Sequence, residues 1–133
     1  MKPETLLQIQ IVEYLSLIAS KNDFIFFSIP NEGAMTAAVS AGMKKTDIAK
    51  FLNTLKKMGM LPGIPDLCII KNGRAYFMEV KTEKGKLSKQ QGIIKLALAD
   101  RKCLVRVVRS LEDVKIFLKI IDITCFNALE EKI

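Results

Sequence analysis

The run Pro62-Gly63-Ile64-Pro65-Asp66-Leu67-Cys68-Ile69-Ile70-Lys71-Asn72-Gly73-Arg74-Ala75-Tyr76-Phe77-Met78-Glu79-Val80-Lys81 decides how this chain folds. Two apolar stretches rich in strand formers flank Asn72-Gly73. A two-residue type I′ loop needs positive φ at both central positions, which Asn and Gly tolerate, so the run reads as a tight β-hairpin. With Asn72 and Gly73 as the loop, Lys71 faces Arg74, Ile69 faces Tyr76 and Asp66 faces Glu79. Strand alternation puts Asp66, Cys68, Ile70, Ala75, Phe77, Glu79 and Lys81 on one side of the ribbon, and Leu67, Ile69, Tyr76, Met78 and Val80 on the other.

Two carboxylates opposed across a strand pair stand with Cβ atoms roughly 5 Å apart. Their repulsion is about 3 kcal/mol at an effective dielectric of about 20. A fold that keeps such a pair needs positive charge beside it. Lys81 supplies one, and hard oxygen donors of this kind suit Mg²⁺ or Mn²⁺. A divalent cation acidifies water and offsets charge on a phosphate, while a neighbouring ammonium orients that water or stabilises the transition state. Those are the requirements of phosphodiester cleavage.

Pro65-Asp66 followed by Glu79-Val80-Lys81 resembles the PD-(D/E)xK nuclease signature. The longer string Gly63-Ile64-Pro65-Asp66-Leu67, Glu79-Val80-Lys81 and Gly85-x-Leu87-Ser88-x-x-Gln91 resembles the VRR-NUC (virus-type replication-repair nuclease) family within that superfamily. The likeness runs from Glu13 to the final helix. It implies an α/β fold with a restriction-endonuclease-like core, a mixed sheet carrying the hairpin, and flanking helices. It also implies Asp66, Glu79 and the Val80 carbonyl as ligands of Mg²⁺ or Mn²⁺, with Lys81 positioning the attacking water and Gln91 in the active-site neighbourhood. An additional acid from the first helix matches Glu13, with Glu32 as its competitor, and Asn31 matches an asparagine common in the family. Stand-alone members are associated with branched DNA such as Holliday junctions and flaps, which two-fold symmetric homodimers can cut on paired strands.

Composition agrees with a nucleic-acid partner. The 133 residues are half hydrophobic and carry 21 Lys and Arg against 14 Asp and Glu. That length supports one core, a single domain over 1–133 with its body at about 4–121 and a tail of unassigned role at 122–133. Residues 71–109 hold eleven basic and three acidic side chains, so this segment, from the hairpin loop onward, carries a net charge of +8 and the rest of the chain −1. A field placed there suits a polyanion. Lys84, Lys86 and Lys89, with Asn31, are the expected DNA contacts.

The chain has no histidine, which excludes Ser-His-Asp chemistry and His-based zinc sites. Cys68, Cys103 and Cys125 lack a C-x-x-C spacing, so neither a disulfide framework nor a zinc site is indicated. The apolar segment Leu6 to Ala19 is interrupted by Gln8, Gln10 and Glu13 and is too short to span a bilayer. The expectations are therefore no membrane partner and an intracellular, cytoplasmic location.

In chain order, residues 4–20 read as a helix with Leu7, Ile11, Tyr14, Leu15 and Ile18 as its apolar stripe. Asp23 to Ile29 reads as a strand ended by a turn over Pro30-Asn31-Glu32-Gly33. Residues 34–58 read as two helices broken at Gly42, the second capped by Thr46, supporting the site or facing substrate as a flap. Ser88 and Gln91 have the spacing of a capping box at the start of a helix reaching about Asp100. Cys103 to Val108 reads as a strand buried on both faces, joined to the Glu79 strand by a right-handed crossover. Ser110 caps a last helix, and Ile123, Cys125, Phe126 and Leu129 are left to finish the core or meet a second subunit.

The leading expectation is thus a metal-dependent DNA nuclease, structure-selective because a minimal domain has little surface for base readout. The alternative is a nucleic-acid-binding module that has lost activity on the same fold, against which the intact Asp66, Glu79 and Lys81 argue. A structural protein with an incidental hairpin is the third.

Overall fold

The computed structural model describes residues 1–123, apart from the side chains at 32–34 and 36, and the order of elements is the expected one. It comprises α1 (Pro3–Asn22), β1 (Ile25–Ser28), α2 (Glu32–Ser40), α3 (Lys45–Lys57), β2 (Leu67–Lys71), β3 (Arg74–Val80), α4 (Lys89–Asp100), β4 (Leu104–Val108) and α5 (Leu111–Ile120). The strands form one sheet in the order β1-β2-β3-β4, antiparallel except for β3 and β4, which run parallel. This is a mixed sheet flanked by helices, as a PD-(D/E)xK-type core requires.

The hairpin has the register derived from its loop. Asn72 and Gly73 take φ of 51° and 74°, and Lys71 pairs with Arg74, Ile69 with Tyr76 and Leu67 with Met78. The ladder stops there, one residue short of the acids. Asp66 lies beyond the last pair and uses its side chain, not its backbone, to reach β3.

Alternation then separates two layers. Leu67, Ile69, Met78 and Val80 are fully buried against Ile11, Leu15 and Ile18 of α1 and Val114, Phe117 and Leu118 of α5. Burying each such side chain stabilises the fold by about 1.5–3 kcal/mol. Ile123 closes this core, while Cys125, Phe126 and Leu129 lie outside the described residues. The opposite sheet face carries Cys68, Phe77 and Glu79, and α4 lies over it, since Gln91 of α4 touches Glu79. The crossover α4 and the following α5 thus flank the sheet on opposite sides.

Three local expectations are corrected. β4 is an edge strand rather than one buried on both faces: Leu104 is 44 % exposed and Arg106 is exposed, because β4 ends the four-stranded sheet. The turn after β1 is shorter than Pro30 to Gly33, since α2 already begins at Glu32. Thr46 is not a cap: α3 starts at Lys45 behind Lys44, without a side-chain cap, and Thr46 sits inside its first turn. Among the described residues, no helix is long and apolar enough to cross a membrane.

Candidate metal centre and active site

Asp66 enters the site at the end of a glycine-dependent turn. Gly63 holds φ of 86°, and a Cβ there would stand 2.7 Å from the backbone oxygen of Gln90 in α4. Only glycine lets the Pro62–Asp66 segment press against that helix. The Asp66 carboxylate, 7 % exposed, is then held at both oxygens. Oδ2 accepts from the Val80 backbone N–H at 2.8 Å, and Oδ1 accepts from Asn31 Nδ2 at 2.7 Å. The Asp66 backbone carbonyl accepts from Ile29 N–H at 2.9 Å, tying the site to the end of β1. Asn31, expected to meet DNA, thus aims the aspartate.

Glu79 projects from β3 toward α4 and is 3 % exposed. Gln91 Nε2 donates to its Oε1 at 3.0 Å. The other end of the same amide, Gln91 Oε1, accepts from Ser88 N–H at 2.9 Å, and Gln91 N–H donates to Ser88 Oγ at 3.1 Å. The capping box and the contact with Glu79 are one arrangement. An amide has a donor and an acceptor end, so glutamine can cap the helix and bond a carboxylate at once.

Lys81, one pleat beyond, brings Nζ to 4.0 Å from Glu79 Oε1. Burial pushes the Glu79 carboxyl from its ordinary 4.5 up to about 9. The charge of Asp66, a hydrogen bond with Asp66 and the charge of Glu4 add to that rise, and Lys81 opposes it. Without a cation, burial thus favours the protonated form of Glu79. A divalent cation would take that proton's place.

The donor set fits such a cation. Lys81 N–H donates to Val108 O at 3.0 Å, toward β4. Across a trans peptide the Val80 carbonyl points the opposite way, to the side where Asp66 lies. Two carboxylates and a backbone carbonyl are hard oxygen donors, suited to Mg²⁺ or Mn²⁺ with waters completing the shell. Among the described residues, no group of three or more Asp, Glu, Cys or His is placed to hold a metal ion.

The structure adds a second helix-borne acid, Glu4, to the surroundings of this centre. Half-buried Glu4 has its carboxyl pushed up by burial and by Asp66 and pulled down by Lys81, so it feels the same charges as Glu79. Glu13 is exposed on the wall of a cavity that Glu4 and Asp66 also line. Nine residues separate the two glutamates, about 13 Å along a helix, so they cannot serve one point. The side chain of Glu32, the other candidate, lies outside the described residues. The sequence did carry a signal: Glu4 continues the stripe of Leu7, Ile11 and Leu15, and an acid on the inward face of an amphipathic helix needs a reason to be there.

Lys84, Lys86 and Lys89 lie on the loop after Lys81 and at the start of α4, and all three are exposed. That loop is braced by Arg109, a residue without any signal in the sequence. Its Nη1 donates to the carbonyls of Thr82 at 2.7 Å, Gly85 at 2.6 Å and Glu83 at 3.3 Å.

Comparison with known proteins agrees with this geometry. The family model described as the VRR-NUC domain matches residues 8–112. No curated protein and no solved structure matches the chain. Nucleases of this type use divalent metal ions and act on DNA. With residues 8–112 of the 133 matched, the chain belongs to the VRR-NUC family of nucleases.

Proposed function

We propose that this chain is a Mg²⁺- or Mn²⁺-dependent deoxyribonuclease that hydrolyses phosphodiester bonds in branched DNA, such as flaps and Holliday junctions, and works as a homodimer. The observation that carries the reading is the buried pair Asp66 and Glu79 with Lys81 Nζ 4.0 Å from Glu79. A binding module gains nothing from two desolvated acids in contact, whereas a cation site needs them.

Asp66, Glu79 and the Val80 carbonyl would hold the cation. When bound, it supplies an acidified water and offsets negative charge on the phosphate. Asn31 and the Val80 N–H keep Asp66 in one rotamer, and Gln91 does the same for Glu79. Such outer partners orient ligands and raise affinity for the ion. Lys81 is placed to orient the nucleophilic water and to stabilise the pentacovalent phosphate. Glu4, whose charge acts on Glu79, stands outside that ligand set. Lys84, Lys86 and Lys89 meet phosphates, which positions the duplex without reading its sequence. Apolar surface on the Glu79 side of the sheet supports dimerisation: Phe27 of β1 and Leu96 of α4, 45 % and 68 % exposed, lie there away from the core.

The test is a panel of flap, four-way junction and blunt duplex DNA incubated with Mg²⁺, Mn²⁺ or EDTA. Cleavage of the branched members in either metal, none in EDTA, and sedimentation as a two-chain species are expected. Binding without cleavage in every metal would overturn the enzyme reading.

A further inference from the structure

A cavity of about 870 Å³ opens beside the acids, and no part of the proposed chemistry uses it. One wall is α1, with Thr5, Gln8, Ile9 and Val12. The floor is Ser28 to Asn31 together with Asp66, and the far wall is Met35 and Ala37 of α2 with Phe51 and Leu55 of α3. Its size falls within the roughly 300–1,000 Å³ of sites that take flat organic ligands.

We propose that this cavity receives unpaired nucleotides of the DNA strand whose phosphate lies on Asp66 and Glu79, with Phe51 as the surface on which a base stacks. The inference rests on the nuclease reading for the identity of that strand. Continuity carries it, because Asp66 and Asn31 are at once cavity wall and active-site residues. A nucleotide neighbouring the bound phosphate has to pass along this wall.

Charge decides which part of the nucleotide enters. Among the described residues that line the cavity, Glu4, Glu13 and Asp66 outnumber the one cation, Lys2, so a phosphate is disfavoured in the interior. A neutral planar base is not. The phosphates have cations outside: Lys50 and Lys57 of α3 are exposed, Lys50 next to Phe51 in the chain and Lys57 about 9 Å further along the helix. Phe51 itself is 48 % exposed, large for an aromatic side chain that the core does not use. Base stacking on aromatic side chains tolerates any sequence, which suits an enzyme selecting structure. Among the described residues, the far wall is built from two helices, α2 and α3, that pack on each other.

The experiment uses the full chain in EDTA, where cleavage is absent. Two duplexes of equal phosphate count are compared by titration: a blunt one, and one with a single-stranded tail carrying 2-aminopurine at its first unpaired position. Wild type is expected to bind the tailed duplex at least tenfold tighter and to quench the 2-aminopurine. Phe51→Ala should lose roughly tenfold or more on the tailed duplex alone, and Phe51→Trp should keep both preference and quenching. Equal affinity of wild type for the two duplexes would overturn the proposal, as would equal loss on both in a Phe51→Ala protein with unchanged circular dichroism. Because no cleavage is read, failure of the nuclease reading is scored separately: a protein that prefers tails but never cuts keeps this inference and loses that one.

Discussion

The hairpin with α4 and the α2–α3 pair flank the same acids, yet they are built in opposite ways. On the hairpin side every functional group is held: Asp66 at both oxygens, Glu79 by Gln91, Gln91 by Ser88, and the Lys81 loop by Arg109. On the other side α3 starts without a side-chain cap, and Phe51 remains about half exposed. A reacting centre needs fixed geometry, because small displacements cost rate steeply. A surface that admits varied DNA structures needs room to adjust. Rigidity and looseness are thus divided between two regions that meet at Asn31 and Asp66.

The largest blow to the rigid side is Asp66→Asn. It preserves shape but keeps only one acceptor oxygen where Asp66 uses two, and it removes the charge that a cation requires, so cleavage in Mg²⁺ should fall by about 10³-fold or more while the protein stays folded. Undiminished cleavage would remove the site assignment.

Gln91→Glu sharpens the comparison further. The carboxylate can still accept from Ser88 N–H, so α4 keeps its cap, but it can no longer donate to Glu79 and adds a negative charge beside it. Activity should drop about 10–100-fold, as for other outer-shell changes at metal sites. Gln91→Ala, which loses the cap as well, should also lower the melting temperature.

Glu79 makes stability depend on pH. In the metal-free protein its carboxyl is raised to about 9, so between 4.5 and 9 the folded state binds a proton that the unfolded state does not. Its stabilising contribution is complete below about 4.5 and is lost as pH rises through about 9. Denaturant melts in EDTA should therefore show stability falling with pH in that window. Cation binding must expel the proton, so affinity for Mn²⁺ should rise over the same range, with proton release detectable by calorimetry in buffers of different ionisation enthalpy.

The smallest effects contrast the two helix starts. Ser88→Ala should lower stability by about 1 kcal/mol, the usual loss for an N-cap whose hydrogen bond is made. Thr46→Ala should change it by less than about 0.5 kcal/mol, because Thr46 makes no cap. Equal losses would erase the distinction between the regions.

What could be read in the sequence was local chemistry. Asn72-Gly73 determined a loop, the loop determined the register, and strand alternation placed Asp66 and Glu79 together on the face opposite the core. The Ser88–Gln91 spacing likewise determined the cap. Each of these depends on residues a few positions apart, whose geometry the backbone imposes. Tertiary structure alone decided the rest. Asn31 reaches Asp66 across 35 residues, and Arg109 reaches Thr82 across 27. Nothing in a linear pattern encodes such approaches, because they depend on how layers stack. The place of Glu4 belongs to the same class: the pitch of α1 sets it about 13 Å from Glu13, but only the packing of that helix against the sheet brings Glu4 into the field of Asp66.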